Sequence, residues 1–147
     1  MADDERMDVE AQVKALNEAL ALQLRSVLHY VLTAGSIVGL EFQAHADKMR
    51  GFALAEIEDS MRLVEKITAI GGEPDVDVHP PSWTADPVKA LDDLIEDEGK
   101  TLEALQAAIE PTGREAASEA VEHRLEHIIM RKQEQVDYLL RAQRRPE

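Results

Sequence analysis

The chain has 147 residues, 44 % of them apolar but only 3 % aromatic, and a formal net charge of −14. That length suits one domain, 1–147, burying about two-thirds of its unfolded surface around an aliphatic core. With 30 acidic residues and no basic stripe before the last few positions, the charge argues against nucleic-acid binding. The absence of cysteine excludes disulfides and thiolate metal sites. No apolar run approaches the roughly 18 residues of a membrane span, and MADDERMD does not read as a signal peptide, so the expected location is cytoplasmic.

Apolar residues at steps of three and four mark the first helix, about 8–38: Val13, Leu16, Leu20, Gln23, Val27, Tyr30, Ala34 and Ile37. Gly35 and Gly39 loosen the chain after it. The second helix, about 41–71, carries His45, Met49, Phe52, Glu56, Asp59, Leu63, Ile67 and Ile70, and Gly71 with Gly72 cap its end. The stretch GGEPDVDVHPPSWTADP, 71–87, holds four prolines and cannot be helical. Asp86 before Pro87 reads as an N-cap with proline at the first helical position. The third helix, about 87–110, follows with Val88, Leu91, Ile95, Glu98, Leu102, Leu105 and Ile109. Pro111 and Gly113 end it. The fourth, about 114–143, carries Ala117, Val121, Leu125, Ile128, Lys132, Gln135 and Leu139.

Two helical hairpins with short turns are thus joined by one long connector. Helices of about 30 and 24 residues are about 45 and 36 Å long. Seventeen extended residues reach about 56 Å, enough to run the length of the bundle. The spacing therefore predicts an all-α four-helix bundle, up-down-down-up, with one crossover between the second and third helices.

Each stripe is interrupted near its middle by polar residues: Gln23, then Glu56 and Asp59, then Glu98, then Lys132 and Gln135. Each hairpin repeats one pattern, a single polar residue followed by a pair at i and i+3. The intervals from Gln23 to Glu56 and from Glu98 to Lys132 are nearly equal, so antiparallel hairpins bring the six side chains to one height inside the bundle.

One residue from each of two helices plus an i, i+3 pair from each of the others is the metal constellation of ferritin-like carboxylate proteins. The chain resembles bacterioferritins over roughly 10–142, in NEALALQLRSVLHY, in AEIEDSMRLVEKITAIGGEPD and in VDYLL. The resemblance implies a ferritin-like bundle and six ligands: Glu on the first and third helices, Glu-x-x-His on the second and fourth. Only Glu56 and Glu98 match. Gln23 replaces a Glu, Asp59 a His, and Lys132 with Gln135 the second Glu-x-x-His. Ile57 stands where the family places its heme-ligand methionine, so no heme is expected, and the family's short fifth helix is missing. A di-iron site needs about four carboxylates and imidazoles besides. Here three carboxylates face an ammonium, and a buried cation seeks Glu98, Glu56 or Asp59 as partner. The arrangement resembles non-oxidising ferritin light chains, where a salt bridge occupies the emptied centre.

The leading expectation is a degenerate bacterioferritin relative, a non-catalytic structural or interaction subunit with no tightly held cofactor. The alternative is an iron-binding or iron-storage protein with an unorthodox site. There one divalent ion (Fe, Mn or Zn) would be held by Glu56, Asp59, Glu98 and an amide oxygen of Gln23 or Gln135. A DNA-protecting mini-ferritin is disfavoured, since no basic extension is present. His123 and His127, at i, i+4 beside Glu119, Glu122 and Glu126, form a second spacing able to grip a metal, read here as surface. Glu41 with His45 is read as coincidence, Tyr30 as a hydrogen-bonded core tyrosine, and His79 with Trp83 as packing the crossover onto the bundle. A second apolar stripe on the first helix, Ala21, Leu24, Leu28, Val31 and Leu32, predicts a homo-oligomer, at least a dimer through the first and second helices. An unidentified protein partner is left open; no nucleic acid or membrane is expected.

Overall fold

The structure, a computed structural model, describes residues 6–75 and 77–143. Among the described residues it consists of four helices and one short 3-10 turn, Leu40–Phe42, without strands. The bearing of MADDERMD on a leader, the closing RRPE and any fifth helix lies largely outside those residues.

Helix α1 spans Val9–Ser36; the Asp8 carboxylate accepts from Ala11 N at 3.2 Å and caps it. Helix α2 spans Gln43–Ala69 and starts later than the spacing suggests, because Gly39, at φ 110°, and the 3-10 turn take up residues 39–42. It ends as a glycine cap should: Gly71 has φ 87°, and Gly72 N donates to Ile67 O at 2.9 Å. Helix α3 spans Pro87–Ala107, with Val88 N donating to the Asp86 side chain at 3.0 Å. It stops short of residue 110 in a run of turns leading to Pro111. Helix α4 spans Ala116–Gln143.

Side-chain pairings give the directions. Gln12 and His29 of α1 meet Ala108, the C-cap of α3, and Asp97 within it, so those helices are antiparallel. Gln23 meets Glu56, and the Tyr30 ring packs edge-on to Phe52 at 5.7 Å, so α1 and α2 are antiparallel too. Lys132 and Gln143 meet Glu98 and Asp92, which runs α4 against α3. Helices α2 and α3 are therefore parallel, and the connector, described at 70–75 and 77–86, crosses the length of the bundle. The Asn17 amide clamps the start of that crossover, donating to Glu73 O at 3.0 Å and accepting from Asp75 N at 2.8 Å. Trp83 Nε1 donates to Ser36 Oγ at 3.1 Å near its end.

Two apolar clusters fill the bundle. One gathers Leu16, Leu20, Leu63, Ile67, Leu105 and Leu125; the other gathers Tyr30, Met49, Leu91, Leu94 and Leu139. The stripes need correction in phase. On α3 the buried line is Ala90, Leu91, Leu94, Glu98, Thr101 and Leu105, continued by the C-cap Ala108, while Ile95 and Leu102 flank it and Val88 faces out. On α4 Ser118 is buried and Ala117 exposed. A stripe read by steps of three and four can take either step at each turn, and apolar residues on the flank decide wrongly when they are larger than the residue facing the axis.

Candidate functional site

Between the two clusters lies a layer of polar side chains. Gln23, Glu56, Glu98 and Lys132 have 0 % exposure, Gln135 3 % and Asp59 4 %. Because α1 and α2 run antiparallel, as do α3 and α4, all four helices contribute at one height.

Lys132 Nζ sits at the centre. It donates to Glu56 Oε1 at 2.5 Å and to Glu98 Oε2 and Oε1 at 2.9 and 3.0 Å. Gln135 Nε2 donates to Glu56 Oε1 at 2.7 Å, and Gln23 Nε2 donates to Glu56 Oε2. Glu98 also accepts from Ser26 Oγ at 2.5 Å and Tyr30 OH at 3.0 Å. Five of the six layer residues thus meet. Asp59 does not join them: its Oδ1 accepts from Arg131 Nη1 at 3.1 Å toward the surface. Ser26 and Arg131 are the members that the spacing missed. Ser26 lies one turn beyond Gln23, and that i+3 relation is the only signal it gives.

The electrostatics follow from burial. Loss of solvent pushes Glu56 up to about 8; Lys132 opposes the rise and the Glu98 charge adds to it. Burial works against the Lys132 ammonium, but Glu98 and Glu56 together hold its pKa above the ordinary lysine value. Tyr30 is driven well above the usual phenol range by burial, then by Glu98 and Glu56. Asp59 is raised by burial against the pull of Arg131 and Lys132. Burial thus raises Glu56, while the two glutamates around Lys132 stabilise its ammonium. Within the layer three acceptor oxygens find no donor: Gln23 Oε1, Gln135 Oε1 and Asp59 Oδ2.

These residues do not fit a two-metal centre. An ammonium fills the space between Glu56 and Glu98, the layer contains no imidazole, and one carboxylate is turned toward Arg131. Among the described residues no group of three or more His, Asp or Glu side chains is gathered so as to hold a metal.

The other candidates fall elsewhere. His123 and His127 are exposed, with ring centroids 5.9 Å apart. His45 pairs with Tyr138 OH at 2.5 Å, not with Glu41. His79 is exposed and Trp83 is 56 % exposed, so the crossover is held by hydrogen bonds more than by those rings. The polar residues Gln12, His29 and Thr33 are buried on α1.

A family profile described as a ferritin-like domain matches residues 13–144. The chain belongs to the ferritin-like family. Among solved structures, this ferritin-like chain is similar to a ferritin-like, diiron-carboxylate protein from Bacillus anthracis. That pair shares 22 % identity over 93 % of this chain and 98 % of the other, with a TM-score of 0.85. It is also similar to the bacterioferritin-related protein of Bacteroides fragilis, a dodecameric thioferritin. There the identity is 18 % over 92 % and 85 % of the two chains, with a TM-score of 0.81. No curated protein sequence matches. No described helix is long and apolar enough to cross a membrane.

Proposed function

We propose that this ferritin-like chain is a bacterioferritin-like protein with a degenerate ferroxidase centre, a single-domain structural or interaction subunit in the cytoplasm that does not oxidise iron. The observation that carries the reading is Lys132 Nζ between Glu56 and Glu98, at 2.5, 2.9 and 3.0 Å and without solvent exposure. An ammonium there repels a dication and uses the carboxylate oxygens that a metal requires. Heme is not part of this reading, because Ile57 occupies the position of the family's methionine ligand.

One alternative is a site for a single divalent ion (Fe, Mn or Zn) held by Glu56, Asp59, Glu98 and an amide oxygen of Gln23 or Gln135; the oxygens of Gln23, Asp59 and Gln135 that find no donor support it. Aerobic loading with Fe²⁺ separates the two. We expect slow, uncatalysed oxidation and less than one iron retained per chain. Rapid oxidation with stoichiometric iron would overturn the proposal.

The subunit is expected to self-associate through α1 and α2. Leu28, Val31 and Leu32 on α1 and Leu54, Ile57 and Met61 on α2 are each at least 40 % exposed, and a groove lined by Leu24, Val27, Ile57, Met61 and Val64 runs between the two helices. A partner protein beyond a second copy would bring the interaction role; nucleic acid and membrane are not part of this reading.

A further inference from the structure

We infer that the exposed face of α4 holds a site for a soft monovalent cation of the copper(I) and silver(I) class, made by His123, His127 and Met130. The site is separate from the polar layer and does not depend on how that layer is read.

The stretch HRLEHIIM, 123–130, sets these three residues at i, i+4 and i+7 of one unbroken helix. At 3.6 residues per turn they fall within about 60° of its circumference. Both histidines are exposed and Met130 is 56 % exposed, while Leu125 and Ile128 between them face the core. The imidazole ring centres lie 5.9 Å apart. With metal–nitrogen bonds of about 2.0 Å, two imidazoles that share an ion have ring centres roughly 5–6 Å apart, so the pair is already at that separation. Met130 neighbours His127 at i, i+3, and helical side chains lean toward the N-terminus. That lean, with three rotatable bonds, puts the thioether within reach of an ion at His127.

The class of ion follows from what stands around the pair. Among the described residues no third His, Asp or Glu is gathered with the two histidines to hold a metal. A hard divalent ion therefore finds two protein ligands on this face. Copper(I) finds three, because a thioether is a soft donor that selects it. Charge favours any cation's approach. Glu119 and Glu134, both exposed, stand one turn before His123 and one turn after Met130 on the same face of a chain with net charge −14. Arg131, next to Met130 in sequence, is held by Asp59 at 3.1 Å.

Anaerobic titration of the full chain with copper(I), in competition with a chromophoric copper(I) chelator, tests the site. One copper(I) per chain should be withdrawn from the chelator, and silver(I) should bind with the same stoichiometry. Met130→Leu should weaken copper(I) binding about tenfold or more and leave zinc binding unchanged. His123→Ala combined with His127→Ala should abolish both. All three side chains are exposed, so the circular-dichroism spectrum of each variant should match that of the parent chain. Met61→Leu, which removes a methionine 55 % exposed on α2, should change nothing. Unchanged copper(I) affinity in Met130→Leu would overturn the thioether's part, and zinc bound as tightly as copper(I) would overturn the preference for a soft ion. One ion per two chains would overturn a ligand set drawn from a single chain. Copper(I) retained no better by the parent chain than by the double histidine variant would overturn the site altogether.

Discussion

Lys132 carries a full charge at 0 % exposure, and what makes that tolerable is the pair of glutamates around it. A buried ion retains several kcal/mol of desolvation penalty unless its partners are close and their remaining lone pairs satisfied. Here Ser26 and Tyr30 complete Glu98, and Gln23 and Gln135 complete Glu56. Replacing Lys132 with Ala leaves the glutamates uncompensated and should cost about 3–5 kcal/mol, read by chemical denaturation. The deficit should depend on pH. Glu56 binds its proton more tightly folded than unfolded, so its contribution is full below about 4.5 and is lost as pH rises to about 8. Lys132 lowers that upper limit. Without it the loss runs on, and the gap between variant and wild type should widen as the solution is taken above about pH 8. An unchanged gap would mean that Glu56 does not titrate there. The polar interruptions of the stripes made the layer legible residue by residue. The turn of Asp59 toward Arg131 was not legible, because spacing assigns a residue to a face but not its side chain to a partner.

At the scale of the helices, caps were the most readable feature. Asp86–Pro87 starts α3 and Gly71–Gly72 ends α2 because a free N–H needs an acceptor and a left-handed residue needs to lack a Cβ. Gly72 does more than end a helix. A Cβ there would lie 2.6 and 2.8 Å from the Cγ atoms of Val13, so glycine is what lets α2's exit close on α1. Gly72→Ala should therefore lower the melting temperature, at about 1–3 kcal/mol. Adding Val13→Ala should recover part of the loss in a double-mutant cycle; additive losses would rule out the contact. Neither that contact nor the Asn17 clamp on the crossover can be read from periodicity, since both join segments far apart in sequence. The phase error on α3 has the same root: Leu94 and Thr101 face the axis only because of where α1 and α4 stand.

For the molecule as a whole, the exposed apolar face of α1 and α2 is what a −14 chain would not be expected to leave in water. Leu28→Glu combined with Ile57→Glu should weaken self-association about a hundredfold or more, since each buried aliphatic side chain contributes about 1.5–3 kcal/mol. Native mass spectrometry and sedimentation would show a monomer; an unchanged oligomer would place the interface elsewhere. The sequence by itself determined the class of fold, the helix order, the long crossover and the height of the polar layer, because hydrophobic periodicity and capping act over a few residues. Only the tertiary structure decided which layer residues meet. That choice brought Lys132 between Glu56 and Glu98, recruited Ser26 and Tyr30, and sent Asp59 outward to Arg131. Hydrogen bonds over a few ångströms between four different helices depend on their mutual rotation, which no single stripe encodes.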